Sequence, residues 1–167
     1  PPSGGAAAVL RPMDPGQGRE REIAVLFADL RGFTRLAERR LPYDVVFILN
    51  RFVAVAGAAI EGAGGRLDKV MGDGIMALFG LDDGPEEAAR RALAAARGMG
   101  RGLAALNAEL AAELGAPLRI GIGLHAGPAI VGELGYGRSA HLTAIGDTVN
   151  VASRLESLTK ELGVELV

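Results

Sequence analysis

The sequence predicts an α/β (α+β) fold, a ferredoxin-like βαββαβ core with an extra hairpin and helix. One observation is the order of the apolar runs, which alternate between strand-like and helical spacing along the chain. A second is an Asp-Gly signal between two short strand-like runs, which is typical of a tight hairpin. A third is the composition of the 167 residues, 49% apolar and 23% charged, which is typical of a globular domain.

The first elements are a strand and a helix. Residues 22–28 are apolar and partly β-branched, which predicts a buried strand. Apolar residues then recur at helical spacing from Pro42 to Ile60, and the glycines that follow predict the end of a helix there.

A hairpin and a second long helix come next. Residues 67–71 and 75–79 flank Gly72-Asp73-Gly74, so we expect two antiparallel strands joined by a tight turn. Pro85 is suited to the first position of a helix, and the Ala- and Leu-rich stretch after it predicts a helix to Leu114.

The last third of the chain predicts another strand pair, residues 118–126 and 129–134, and then a glycine-containing excursion over 135–143. A helix is predicted over 148–162 with Asp147 as its N-cap, and residues 164–167 are expected to begin a strand.

Composition limits the classes of function. Residues 1–18 are rich in Pro, Gly and Ala and are expected to form a linker before one domain over 19–167. The net charge of −2 gives no reason to expect a nucleic acid or direct membrane contact. The chain has no cysteine, which excludes disulfides and thiolate chemistry. We expect a cytoplasmic domain, and a membrane anchor elsewhere in a longer chain stays open.

Two aspartates mark the ends of apolar runs. Asp29 ends the first predicted strand and Asp73 begins the third, and these two strands are neighbours in a βαββαβ sheet. Mg²⁺ prefers one or two carboxylates together with substrate phosphate oxygens, so this pair predicts a metal site. Asp before Gly is also a common turn residue, which is the alternative for Asp73 taken alone.

Three further polar residues carry candidate chemistry. Lys69 lies on the face of Asp73, four residues earlier, and could bind a ring nitrogen or simply protect a sheet edge. Asn150 and Arg154 are four residues apart on one helix face, where they could orient a ribose and bind a phosphate. A solvated polar face is the alternative for both.

Three segments together resemble the catalytic domain of class III nucleotidyl cyclases, the adenylate and guanylate cyclases. They are FADLRGFT at residues 27–34, KVMGDG at 69–74 and IGDTVNVASR at 145–154, in the order found in that family. The resemblance extends from about Arg19 to the end of the chain.

The resemblance implies a homodimer with active sites shared between protomers. Asp29, Asp73 and the Leu30 carbonyl would bind two Mg²⁺ or Mn²⁺ ions, and the backbone of Gly32, Phe33 and Thr34 would bind the triphosphate. The partner protomer would supply the other residues: Lys69 and Thr143 to read the purine, Asn150 to orient the ribose and Arg154 to stabilise the transition state.

The implied reaction converts ATP to 3′,5′-cyclic AMP and pyrophosphate. The Lys69 and Thr143 pair resembles adenylate cyclases, whereas guanylate cyclases usually carry Glu and Cys or similar residues there. A guanylate cyclase and a non-catalytic, cyclase-like regulatory domain are the alternatives. Since all four of Asp29, Asp73, Asn150 and Arg154 are retained, the regulatory alternative is disfavoured.

The family also has a strand pair after the last helix, bearing a lysine that binds phosphate. This sequence ends before that segment. We therefore expect the C-terminal strands to be missing and the catalytic domain to be incomplete over these residues.

Overall fold

A computed structural model describes residues 18–167. Its five strands are Gly18–Arg31 (β1), Arg66–Met71 (β2), Gly74–Phe79 (β3), Arg119–Leu134 (β4) and His141–Ile145 (β5). Its helices are Phe33–Glu38 (α1), Pro42–Gly62 (α2), Pro85–Glu109 (α3), Ala111–Leu114 (α4) and Asp147–Leu162 (α5), with a short 3₁₀ turn at Gly137–Ser139. The predicted linker, 1–18, lies outside the described residues except for Gly18, which begins β1.

The strands form one antiparallel sheet in the order β2-β3-β1-β4-β5. The order of β2, β3, β1 and β4 is that of the ferredoxin-like core, and β5 and α5 are the additions. The predicted fold class is therefore confirmed.

One face of the sheet is covered by α2 and α3. Alternate residues of β1, such as Leu26 and Leu30, point into this layer and pack with the inner faces of both helices. Two glycines of α3 let this helix approach α2 closely. A side chain at Gly98 would lie 3.2 Å from Ala59 Cβ, and one at Gly102 would lie 2.6 Å from Val55.

The other face of the sheet carries α5. The remaining residues of β1, including Ile23 and Val25, form a second cluster with Ala152 of this helix. The contact with β4 is close because β4 presents Gly121, Gly123 and Gly127 toward α5, whose backbone and side chains occupy the space of a Cβ there. Asp29 shares this face, since it follows Val25 at an even spacing.

Helix α2 has a mean hydropathy of 1.7 over its most apolar stretch and is long enough to cross a membrane. Four residues at helical spacing on this helix are buried in the core, namely Ile48, Phe52, Ala56 and Ile60. Val46 and Phe47 of the same helix are about half exposed, so core packing accounts for only part of its apolar character.

Three details of the prediction are wrong. The predicted strand pair 118–126 and 129–134 is one continuous strand, β4. Pro128 falls between the two predicted strands, but in the structure it lies within β4, between the stretch that bonds residues 165–167 and the stretch that pairs with β5. Proline has no N–H to donate to a neighbouring strand. Because the edge of β4 that faces away from β1 has no partner strand at Pro128 among residues 18–167, the sheet loses no hydrogen bond there.

The other two details lie around α5. Thr143 belongs to β5 rather than to an irregular excursion, because residues 141–145 pair with the end of β4. The N-cap of α5 is Gly146, whose φ of 141° favours glycine, and Asp147 is the first helical residue. The predicted beginning of a strand at 164–167 is confirmed, because Leu166 forms a parallel bridge with Ile122 and residues 165–167 make backbone hydrogen bonds with Ile122 and Leu124.

Candidate active site

The sheet brings the two predicted metal aspartates to one cavity. Asp29 lies opposite Gly74 in the β1–β3 ladder, and the Leu30 N–H donates to the Asp73 carbonyl at 3.2 Å. Asp29 and Asp73 both line an open cavity of about 160 Å³ between the β2–β3 turn and α5. The turn is tight because Gly72 takes a φ of 59°, which favours glycine.

Asp29 is only partly compensated by its surroundings. Lys160 on α5 places its Nζ 3.8 Å from Asp29 Oδ2. The other carboxylate oxygen, Oδ1, is buried and has no hydrogen-bond partner within residues 18–167. An ionised oxygen in that situation is costly, so it is suited to receive a cation or a proton.

A carboxylate that the sequence prediction missed lies in the same cavity. Glu156 on α5 is 8% exposed, and its Oε1 is also buried without a partner in the described part of the chain. Burial raises the pKa of Glu156 to about 8, and hydrogen bonding to and charge repulsion from Asp29 act in the same direction, while Lys160 and Arg31 oppose them. Its position could have been found from the inward spacing of Thr148, Ala152 and Glu156.

The donor set of this cavity fits hard divalent cations. Two aspartates supply oxygen ligands, and one of their oxygens lacks a partner. Within residues 18–167, no three His, Asp or Glu side chains are grouped closely enough to hold an ion by themselves. Two carboxylates would thus need further oxygen ligands, such as substrate phosphates, which is the usual arrangement for Mg²⁺.

The remaining metal and phosphate predictions concern backbone groups. The Leu30 side chain is buried in the core, so Leu30 could contribute to metal binding only through its backbone carbonyl. Gly32 has a φ of 67° and caps α1, so Phe33 and Thr34 are the first residues of that helix. Phe33 packs on the core and Thr34 is exposed, which leaves backbone N–H groups of this turn available at the end of β1.

The two predicted purine-reading residues meet through a third residue. Thr143 Oγ1 donates to Asp68 Oδ2 at 3.0 Å, and Lys69 Nζ lies 3.6 Å from the same oxygen. Lys69 and Thr143 come from β2 and β5, the opposite ends of the strand order, and Asp68 connects them. Asp68 was not predicted, although its place beside Lys69 was a possible signal.

Asn150 and Arg154 lie apart from the aspartates. Both are exposed on the side of α5 that faces away from the sheet, and neither lines the cavity of Asp29 and Asp73. Arg154 Nη2 is 3.8 Å from Oδ1 of Asp147, which lies about two turns earlier on the helix, and both side chains are exposed. One protomer therefore forms two separate groups, the aspartates around the cavity and the Lys69–Thr143 pair at Asp68. Asn150 and Arg154 belong to neither group and are exposed to solvent.

Known proteins are similar to this chain in sequence and in fold. The family described as "Adenylate and Guanylate cyclase catalytic domain" matches residues 17–167. An adenylate cyclase of Anabaena cylindrica is 39% identical over 153 residues, which are 91% of this chain and 30% of that protein.

Solved structures agree with the sequence match. The adenylyl cyclase CyaB from P. aeruginosa has a TM-score of 0.80 and 30% identity, covering 85% of this chain and 74% of its own. The guanylyl cyclase Cya2 has a TM-score of 0.78 and 36% identity, covering 84% and 72%. The chain spans 30% or less of the length of three curated relatives that it matches. On the family match and these likenesses, the chain belongs to the family of adenylate and guanylate cyclase catalytic domains.

Proposed function

We propose that this domain is an adenylate cyclase, which converts ATP to 3′,5′-cyclic AMP and pyrophosphate. The observation that carries the proposal is the placement of Asp29 and Asp73 on one cavity. Lys69 of β2 and Thr143 of β5, which meet at Asp68, would read the purine in the site of the partner protomer. The first pair suits the triphosphate and its cations, and the second suits a purine edge.

In the reaction, the ribose 3′-oxygen forms a bond to the α-phosphorus as the bond to the bridging oxygen breaks and pyrophosphate leaves. Asp29 and Asp73 would hold two Mg²⁺ or Mn²⁺ ions. Such ions, when bound, lower the pKa of a 3′-hydroxyl and neutralise charge on the phosphates. The backbone of Gly32, Phe33 and Thr34, at the start of α1, would orient the triphosphate through its N–H groups.

Asn150 and Arg154 would act on the active site of a second copy. Their exposure on α5 supports this assignment, because side chains that face away from their own cavity are free to reach into another protomer. Asn150 would then hydrogen-bond the ribose, and the Arg154 guanidinium would bind the phosphate oxygens as their charge develops.

A homodimer is supported by exposed apolar side chains. Ile130 of β4 pairs in register with Ile145 of β5, and both are about half exposed. Leu134 follows Ile130 on the same face of the strand at 53% exposure. A cross-strand apolar pair in water is suited to burial against a partner. We place this dimer in the cytoplasm, where ATP is available.

Base selectivity for ATP rests on Lys69 and Thr143. The ammonium group of Lys69 can only donate, which suits a purine ring nitrogen, and a hydroxyl oxygen can accept from the amine of adenine. Guanine presents the opposite groups at these positions. The guanylyl cyclases among the structural neighbours make the cyclisation of GTP the second candidate.

Product analysis tests the proposal. Full-length protein with Mn²⁺ is incubated with ATP or GTP, and cyclic AMP and cyclic GMP are quantified. We expect cyclic AMP as the main product, and Asp29→Ala and Asp73→Ala to lower its rate by more than about 100-fold, since each removes several kcal/mol of charge stabilisation. Asp82→Ala, an exposed carboxylate outside the cavity, is the matched control. Near-normal activity of either active-site variant would contradict the metal assignment.

A further inference from the structure

Asp68 has a place in the fold that neither the motifs nor the reaction accounts for. The β2–β3 ladder pairs Leu67 with Ala77 and then Lys69 with Met76, so Asp68 lies at a bulge. Successive side chains of a regular strand point to opposite faces, and a bulge relieves that alternation. Here it lets Asp68 and Lys69 approach on one side, with Lys69 Nζ 3.6 Å from Asp68 Oδ2.

The contact to Thr143 fixes the direction of its hydroxyl group. A carboxylate can only accept, so at 3.0 Å the Thr143 hydroxyl must be the donor and Asp68 Oδ2 the acceptor. Thr143 is 2% exposed, which limits exchange of this bond with water. Since the hydroxyl proton is committed to Asp68, Thr143 can offer a ligand only its acceptor lone pairs.

The second oxygen of Asp68 strengthens the same bias. The side chain is 0% exposed, and Oδ1 has no hydrogen-bond partner among residues 18–167. A buried carboxylate with an unused acceptor makes its neighbourhood favourable for N–H donors and unfavourable for carbonyl oxygens. The exocyclic amine of adenine is a donor, whereas guanine has the O6 acceptor at the corresponding place.

We infer that Asp68 is a positioning residue that sets purine selectivity: it holds Lys69 in place and orients the Thr143 hydroxyl so that the pair selects a 6-amino purine. The inference rests on the proposed adenylate cyclase function and deepens it. Asp68 acts through its two neighbours and is not assigned a role in the chemical step.

The test compares specificity constants for three nucleotides in full-length protein: ATP, GTP and purine riboside 5′-triphosphate, which lacks the exocyclic amine. Asp68→Asn is nearly isosteric, and its amide can donate to Thr143, which would turn the hydroxyl toward the ligand as a donor. We expect the ATP/GTP ratio of kcat/KM to fall by about tenfold or more, the size of one hydrogen bond in a buried site. The advantage of ATP over the purine nucleotide should also shrink toward one.

Two controls separate positioning from a general structural effect. Asp82→Asn changes an exposed carboxylate outside this site and should leave both ratios unchanged. Thr143→Val removes the hydroxyl while keeping the shape of the side chain. It should lose selectivity like Asp68→Asn. If thermal denaturation shows that Asp68→Asn is not folded, Thr143→Val remains the test: a wild-type ATP/GTP ratio in this variant would overturn the role of Asp68, which acts through that hydroxyl.

The outcomes are distinct. A wild-type protein without preference for ATP would contradict the proposed function and this inference together. A wild-type protein that prefers ATP, with an Asp68→Asn variant that loses activity equally on ATP and GTP or keeps its ratio within twofold, would overturn the role of Asp68 alone.

Discussion

Glu156 of α5 lies against Asp29 of β1, and each of these carboxylates has one buried oxygen without a partner in the described part of the chain. A proton on Glu156 would give both groups a hydrogen-bond partner, because a protonated carboxyl group can donate to the ionised carboxylate of Asp29. The pKa of Glu156, raised by burial to about 8, agrees with that arrangement.

This pair predicts how stability without metal depends on pH. The pKa of Glu156 rises from an ordinary 4.5 to about 8 on folding, so the folded state binds the proton more tightly. The stability that this contributes is fully present below about pH 4.5 and is lost as the pH rises toward about 8. Glu156→Gln keeps an N–H donor toward Asp29 at every pH and should avoid the loss.

Thermal denaturation in EDTA from pH 5 to 9 checks this expectation. The Tm of Glu156→Gln minus that of wild type should be near zero at pH 5 and grow to several degrees at pH 9, at about 2–4 °C for each kcal/mol. Glu161→Gln, an exposed position on the same helix, should follow wild type throughout. A constant offset between Glu156→Gln and wild type would contradict the shared proton.

The packing of α5 on β4 predicts an unequal effect of two glycine substitutions. A Cβ at Gly123 would overlap the backbone N of Glu156 and lie 2.5 Å from the Ala152 carbonyl, and neither backbone can yield without moving α5. Gly123→Ala should therefore destabilise the protein by about 1–3 kcal/mol or more. Gly100→Ala, inside α3 with open space around it, should stabilise it by up to about 1 kcal/mol. Urea titrations with equal destabilisation of both variants would contradict this description of the α5 contact.

The exposed face of α5 predicts complementation between inactive chains. Asp73→Ala removes a carboxylate from the cavity, and Arg154→Ala removes a guanidinium that points away from it. If sites are shared across a dimer, a mixed dimer of these variants contains one intact site out of two. Mixing equal amounts should then restore about a quarter of wild-type activity, since about half of the dimers are mixed on random association.

Copurification with two different tags shows whether mixed dimers form. Activity of each variant alone sets the baseline. Mixed dimers that form and stay as inactive as their components would contradict shared active sites.

The sequence predicts those parts of the structure that depend on local residue patterns and on the order of the elements. The glycines around Asp73 predicted the hairpin, although the turn residues are Gly72 and Asp73 rather than an Asp-Gly pair. The βαββαβ order predicted the adjacency of β1 and β3, which brings Asp29 and Asp73 together. The continuity of β4 was missed because the effect of Pro128 depends on which strands flank it. That information lies in the tertiary structure.

The two missed carboxylates have similar explanations. Asp68 joins Lys69 only because of a bulge in β2, and strand alternation would have placed the two on opposite faces. Glu156 reaches Asp29 because glycines of β4 let α5 approach the sheet closely. Both depend on contacts between elements remote in sequence, to which a residue pattern gives no direct access.

The preference of the wild-type protein between ATP and GTP decides whether the domain is an adenylate cyclase. Specificity constants for ATP and GTP, measured in competition on full-length wild-type protein with Mn²⁺, should favour ATP by an order of magnitude or more, because guanine leaves Lys69 and the buried Thr143 mispaired. Lys69→Glu combined with Thr143→Cys should erode this preference. Equal specificity constants of wild type for ATP and GTP, or a preference for GTP, would contradict the assignment as an adenylate cyclase.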